Sequence, residues 1–237
     1  MQFSDYKEDV ERAVSSFWET KAKQGTASED KSGHGDVAGG KQMDGFIDLL
    51  KKVAVDTLKI DAFDDSCIIT KNNYIPGYFR SSKNWDLLVV TPSRKLVAAI
   101  ELKSQGGSYG NNFNNRAEEA IGSALDLKTA YEKKLFPNQQ FFPWLGYLMI
   151  VGIDGSAKTV KNKKCLYPVL PEFKDTTYID RYKILCNKLQ SEELYTKTAL
   201  LKTSSREDYA DVDDKISLES FLKSFADYLK ASRNEFE

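Results

Sequence analysis

Two apolar runs joined by one short turn constrain this chain more than anything else in it. Asp86-Leu87-Leu88-Val89-Val90 and Leu96-Val97-Ala98-Ala99-Ile100-Glu101-Leu102-Lys103 flank the pentapeptide Thr91-Pro92-Ser93-Arg94-Lys95. Both runs read as strands, apolar at odd and even positions alike. Such strands are covered on two faces, so the pair belongs in the middle of a sheet with helices on both sides. If the turn is centred between Ser93 and Arg94, Val90 faces Val97, Leu88 faces Ala99 and Asp86 faces Glu101. Directly opposed residues lie about 4.5–5.5 Å apart. Side chains alternate along a strand, so Lys103 shares the face of Glu101 while Leu102 points away. A one-residue slip in register would separate the three charged groups.

Charged groups in strands this apolar are rare unless paired or liganded. Two carboxylates so close repel unless a cation sits between them. Oxygen donors select a hard cation, here Mg²⁺. Such an ion makes water more acidic and stabilises charge building on phosphorus. A lysine on the same face orients or deprotonates the attacking water. The arrangement suits phosphodiester hydrolysis, and a structural Glu–Lys pair explains the same residues almost as well.

The remaining pattern is that of a single α/β domain over residues 1–237. Helices are expected over about 4–23, 42–58, 115–134, 178–194 and 217–231. Further strands are expected near 66–70, 145–153 and 198–202. Five of the fourteen glycines fall within 24–40, which reads as a long flexible loop inside the domain. Residues 104–114 read as a second, Gly/Asn-rich loop, and 207–214 as a solvated acidic one. No apolar run approaches the ~20 residues of a membrane span, and the N-terminus lacks the features of a signal peptide. Three cysteines without metal spacing imply buried thiols and a reducing cytoplasm. The single histidine, His34, excludes a His-rich zinc site and argues against a His-based triad.

The net charge of −1 counts mildly against a nucleic-acid binder. Residues 71–116 nevertheless hold seven basic residues and only two acids, Asp86 and Glu101, giving a +5 window on an acidic body.

The residues around the charged patch carry a resemblance. Lys83-Asn84-Trp85-Asp86-Leu87-Leu88-Val89, Glu101-Leu102-Lys103-Ser104-Gln105 and the long stretch Gly110-Asn111-Asn112-Phe113-Asn114-Asn115-Arg116-Ala117-Glu118-Glu119-Ala120 together resemble the XhoI family of type II restriction endonucleases. Gly40-Lys41-Gln42-Met43-Asp44-Gly45-Phe46 and Pro76-Gly77-Tyr78-Phe79-Arg80 extend it, so that it covers roughly 33–153. The resemblance implies the PD-(D/E)xK restriction-endonuclease-like fold, a central mixed β-sheet flanked by helices. It implies Mg²⁺-dependent double-strand cleavage of DNA at a short palindrome, CTCGAG or similar, leaving a 5′-phosphate and a 3′-hydroxyl. A symmetric homodimer and a companion DNA methyltransferase follow from it. By carry-over Asp86 and Glu101 are metal ligands, helped by the carbonyl of Leu102, and Lys103 is the catalytic lysine. Trp85 stands where the motif's name places proline.

Other candidates surround this core. Asp44, with Asp48 one turn on, and Glu119 are possible additional acids. Ordinary exposed helix acids, or complementation of a helix macrodipole at Glu119, explain them too. Asn111, Asn112, Asn114, Asn115 and Arg116 carry the amide and guanidinium groups that read base edges or hold phosphates. A turn-rich loop would use the same asparagines for backbone reasons. Gln105, the Arg80-Ser81-Ser82-Lys83 loop, Lys41 and Gln42 are further DNA-contact candidates. Tyr78, Phe79 and Phe113 read as packing residues, and the apolar stripe of 217–231 as core or dimer interface. The rivals are a structure-specific repair or junction nuclease of the same fold, and a catalytically inert sequence-specific DNA-binding protein.

Overall fold

The hairpin forms where the sequence places it. A computed structural model describes residues 2–27, 41–60, 66–153 and 157–236. In it β4 (Leu87–Val90) and β5 (Leu96–Gln105) pair antiparallel, with Leu87 opposite Ile100 and Leu88 opposite Ala99. The expected register holds towards Asp86 and breaks only near the turn. A bulge between Val89 and Val90 puts Val90 opposite Leu96 rather than Val97. Arg94 takes a positive φ of 65° there, which closes the turn from Thr91 to Lys95.

Four more strands complete a six-stranded mixed sheet. These are β1 (Ile68–Ile69), β6 (Trp144–Gly152), β7 (Lys197–Thr203) and β8 (Tyr209–Asp211), and the order is β1-β4-β5-β6-β7-β8. β5, β6 and β7 run parallel, while β1, β4 and β8 are antiparallel to their neighbours. A separate ribbon pairs β2 (Tyr74–Ile75) with β3 (Lys83–Asn84), just before the hairpin.

Helices cover both faces, as strands apolar on both sides require. On one face lie α1 (Lys7–Ala27), α2 (Asp44–Leu58) and α5 (Leu218–Ala231), packed on Leu87, Val89, Ile100 and Leu102. On the other lie α3 (Tyr109–Glu132) and α4 (Tyr178–Ser191), packed on Leu88, Ala99, Tyr147 and Met149. Gly45 sets the α1–α2 contact, since a Cβ there would come within 2.8 Å of the Ala13 Cα. Phe221, Leu222, Phe225 and Leu229 of α5 are fully buried, so the stripe read as core or dimer interface is core.

Several expectations are corrected. Helix α3 begins at Tyr109, not near 115, so the Asn-rich stretch lies inside its first turns. Asn and Gly are poor helix formers, but packing overrides them. Tyr109 is buried, stacks on Tyr178 at 5.6 Å and bonds the Gly152 carbonyl, while Phe113 packs edge-on against Tyr182. The acidic 207–214 stretch is structured. It contains β8, its Asp211 accepts the Leu218 N–H at 2.8 Å, and its Asp213 caps the next turn. Tyr78 and Phe79 are exposed rather than packed. Of the thiols Cys67 and Cys186 are buried, but Cys165 is exposed. The expected glycine loop is helical through Ala27; its residues 28–40, His34 among them, lie outside the described residues. No described helix is long and apolar enough to cross a membrane.

Candidate active site

Alternation along β5 puts Glu101 and Lys103 on the α3–α4 face and Leu102 in the opposite core. The hairpin brings Asp86 to the same place. The Leu102 N–H donates to Asp86 Oδ2 at 2.7 Å, and the Asp86 N–H donates to the Ile100 carbonyl at 3.1 Å. Glu101 is 3 % exposed. Its Oε1 pairs with Lys103 Nζ, and its Oε2 lies 2.7 Å from Lys83 Nζ. Lys83 comes from β3 and lies 4.9 Å from the ring centroid of buried Trp85. Trp85 is thus a platform for a second lysine. Tyr147, opposite Glu101 in β6, and Tyr195 are buried beside the pair and share their charge field.

The electrostatics are unbalanced. Burial pushes the Asp86 carboxyl up, Glu101 repels it further, and the Leu102 N–H with Lys103 and Lys83 offsets only part of this, so it titrates at about 6. Burial would raise Glu101 as well, but Lys103 and Lys83 outweigh it and hold this carboxyl below the usual range. Burial would lower Lys103, and the adjoining Glu101 outweighs that, so its ammonium is held more firmly than usual. An ammonium has no lone pair with which to take a proton. In this arrangement the ammonium can donate hydrogen bonds and neutralise negative charge.

The donor set fits a hard cation. Two neighbouring carboxylates, one of them destabilised by the other, accompany a backbone carbonyl at Leu102, and Mg²⁺ is content with one or two carboxylates plus waters. No third acid joins them. Among the described residues no group of three or more His, Cys, Asp or Glu side chains is placed to hold a metal. Asp44 belongs to α2, across the sheet from Glu101, and lines a cleft with Asp9, Arg12, Asp48 and Lys52. Gly45 beside it serves helix packing rather than approach to the metal. Glu119 sits in the third turn of α3, 2.7 Å from Arg116, and reaches Lys103 only through its charge. With the helix starting at Tyr109, it is too far along to complement the macrodipole.

The expected DNA-contact residues divide. Asn114, Asn115, Ser81 and Ser82 are exposed, while Asn112 is half-buried with its amide on the Ser108 carbonyl. Asn111 lies in the same turn, its side chain outside the described residues. Lys83 is drawn into the carboxylate cluster instead of lying in a loop surface. Gln105 is 6 % exposed and turns back onto the Gly107 carbonyl. Gln42 accepts the Ser104 hydroxyl at 3.0 Å on the far side of β5, next to exposed Lys41. Arg80 is held by Asp126 at 2.7 Å.

Two features escaped the sequence reading. Asp126 is buried in α3, and its Oδ1 accepts the N–H groups of Tyr78 (2.7 Å) and Phe79 (2.8 Å). Its only sequence signal is an acid beside the α3 apolar stripe. The other is the exposed segment 157–170, which carries Lys158, Lys161, Lys163 and Lys164 and no acid; four lysines without a counter-charge were the signal.

Sheet and charge cluster together define an α/β enzyme with paired carboxylates and a lysine at the base of a central hairpin. The family model described as restriction endonuclease XhoI matches residues 21–213. The type II restriction enzyme BstVI of Geobacillus stearothermophilus is 41% identical over 186 residues, 76% of this chain and 81% of that protein. The type II restriction enzyme XhoI of Xanthomonas vasicola is 39% identical over 195 residues, 80% of this chain and 77% of that one. The type II restriction enzyme AbrI of Azospirillum brasilense is 42% identical over 158 residues, 64% and 68% respectively. The chain belongs to the XhoI restriction endonuclease family. No solved structure matches it.

Proposed function

We propose that this protein is a type II restriction endonuclease of the PD-(D/E)xK fold, making Mg²⁺-dependent double-strand cuts at CTCGAG or a closely similar palindrome. The observation that carries the reading is the convergence of Asp86, Glu101 and Lys103 on one half-buried patch. Membership of a family whose relatives are named type II restriction enzymes supports it. Asp86, Glu101 and the Leu102 carbonyl would hold the ion, which supplies Lewis-acid charge and makes water more acidic. The Leu102 N–H fixes Asp86 in place for that role. Lys103 orients the attacking water and neutralises charge on the scissile phosphate. The exposed asparagines of the first α3 turns reach base edges and phosphates.

A palindrome calls for a two-fold homodimer, one site per strand. Ile121 (43 % exposed) and Leu125 (46 %), one turn apart on α3, with Tyr78 and Phe79 alongside, supply apolar surface for it. The host's protection would come from a companion methyltransferase, and the enzyme would work in the cytoplasm. Incubation with two plasmids, one bearing a single CTCGAG and one with that site altered, tests the reading. Discrete linear DNA from the first alone, dependent on Mg²⁺, is expected. Smears, or cutting of branched DNA only, would instead indicate a structure-specific nuclease. Site-selective binding without cutting would indicate an inert binder.

A further inference from the structure

We infer that the segment 157–170 is a DNA-clamping arm, whose lysines bind duplex phosphates beside the Asn-rich turns of α3. The inference rests on the proposed action on DNA and adds a site that the hairpin motif does not contain.

Both ends of the connection from β6 to α4 are fastened to the start of α3. At the near end the Tyr109 hydroxyl bonds the Gly152 carbonyl. At the far end Tyr178 stacks on Tyr109, and Tyr182 packs against Phe113. The stem of the arm is itself built. Thr159 pairs with Thr177, the Val160 N–H donates to the Thr176 carbonyl at 2.8 Å, and the Asn162 amide donates to the Phe173 carbonyl at 2.8 Å. Arg181 of α4 holds both Asn162 and Thr176.

The sheet then decides where the arm emerges. β5 and β6 run parallel, with Lys103 opposite Met149. Gly152 therefore lies three residues, about 10 Å, further towards the strand C-termini than the catalytic lysine. The arm leaves the sheet at the end of β5 that carries Glu101 and Lys103 and from which α3 begins.

Its chemistry fits one occupant. Lys158, Lys161, Lys163 and Lys164 are exposed, and among the described residues none has a carboxylate within ion-pair distance. Lys83 and Lys103, in contrast, are both paired. A cluster of unpaired like charges repels itself until an anion arrives, and a duplex offers one phosphate per ~1.7 Å of axis. Leu166 (91 % exposed) and Tyr167 (77 %) stand at the tip, where an apolar and an aromatic group can lie against sugar and base edges.

The test uses the full-length protein, a fluorescent duplex carrying CTCGAG and a metal-free buffer. Affinity is measured against salt for the wild type and for Lys161→Ala/Lys163→Ala/Lys164→Ala. Each lost phosphate contact lowers the slope of log K against log salt by about 0.9, so the triple variant should lose about 2 to 3 in slope. An unchanged slope and affinity in the variant, with the wild type binding and cutting, overturns the arm and leaves the proposed function standing. A wild type with no salt-dependent DNA affinity overturns both. A second readout needs no substitution. Cys165 lies within the arm and is exposed, while Cys67 and Cys186 are buried. The duplex should slow alkylation of Cys165 by a maleimide several-fold, and an unchanged rate counts against the arm.

Discussion

Glu101 and Asp126 are both acids at 3 % exposure, yet their surroundings differ. Asp126 is answered by fixed donors, the N–H groups of Tyr78 and Phe79 and the Arg80 guanidinium. These hold its carboxyl below the usual range against the effect of burial. Glu101 is answered by two lysine ammoniums and has a second acid, Asp86, as a repelling neighbour. A buried acid matched by backbone donors is finished and structural. Glu101's lysines satisfy it but leave its neighbour Asp86 matched only in part, and a cation would complete the pair. Burial alone does not separate these cases; the kind of counter-charge does.

Substitutions can break this comparison. Lys103→Ala should lower kcat for plasmid cleavage by 10²-fold or more, with only a partial loss of stability, because Lys83 still answers the buried Glu101. A variant that cuts within threefold of wild type would remove Lys103 from the chemistry. Asp126→Ala should do the reverse. It strands two N–H groups and costs about 2–4 kcal/mol in denaturant unfolding, while the folded fraction still cuts.

Asp86→Asn should abolish cleavage yet stabilise the metal-free protein, and the sign follows from its raised carboxyl. Between about pH 4 and 6 the unfolded chain ionises this group while the folded protein keeps it protonated. The folded state therefore loses stability as pH rises through about 6. The amide lacks that penalty, so the gain should grow from nothing near pH 4 to at most about 3 kcal/mol above pH 6. Urea titrations at pH 4.5 and 7.5 would show it, and a loss of stability at the higher pH would contradict the assignment. Gly77→Ala should have the smallest effect. Its Cβ would come within 2.4 Å of Asp126 Oδ2, so that loop must shift, costing about 1–2 kcal/mol with cleavage nearly intact.

Much of the site was legible because strand periodicity is simple. Alternation placed Glu101 and Lys103 on one face, but Asp86 faces Glu101 only because the bulge at Val89–Val90 shifts the pairing from Val90–Leu96 at the turn to Val89–Ala98 beyond it, which no local pattern announced. The start of α3 was not legible, because local propensity and tertiary packing disagree there. Gly110 and the asparagines favour a loop, while Tyr109 and Phe113 gain more by packing against α4. Neither could the sequence show that Asp44 lies on the wrong side of the sheet. Which face a helix covers depends on chain crossings that no local pattern encodes.

The sequence by itself determined the central hairpin, its two-sided burial and the shared face of Glu101 and Lys103, since all three rest on short-range alternation. Only the tertiary structure decided that Lys83 leaves the surface to join Glu101 and that Asp126 holds the Arg80 loop. It alone showed that the lysine-rich segment after β6 is fastened at both ends to the start of α3. Each of these is a contact between residues far apart in the chain, set by how the layers pack.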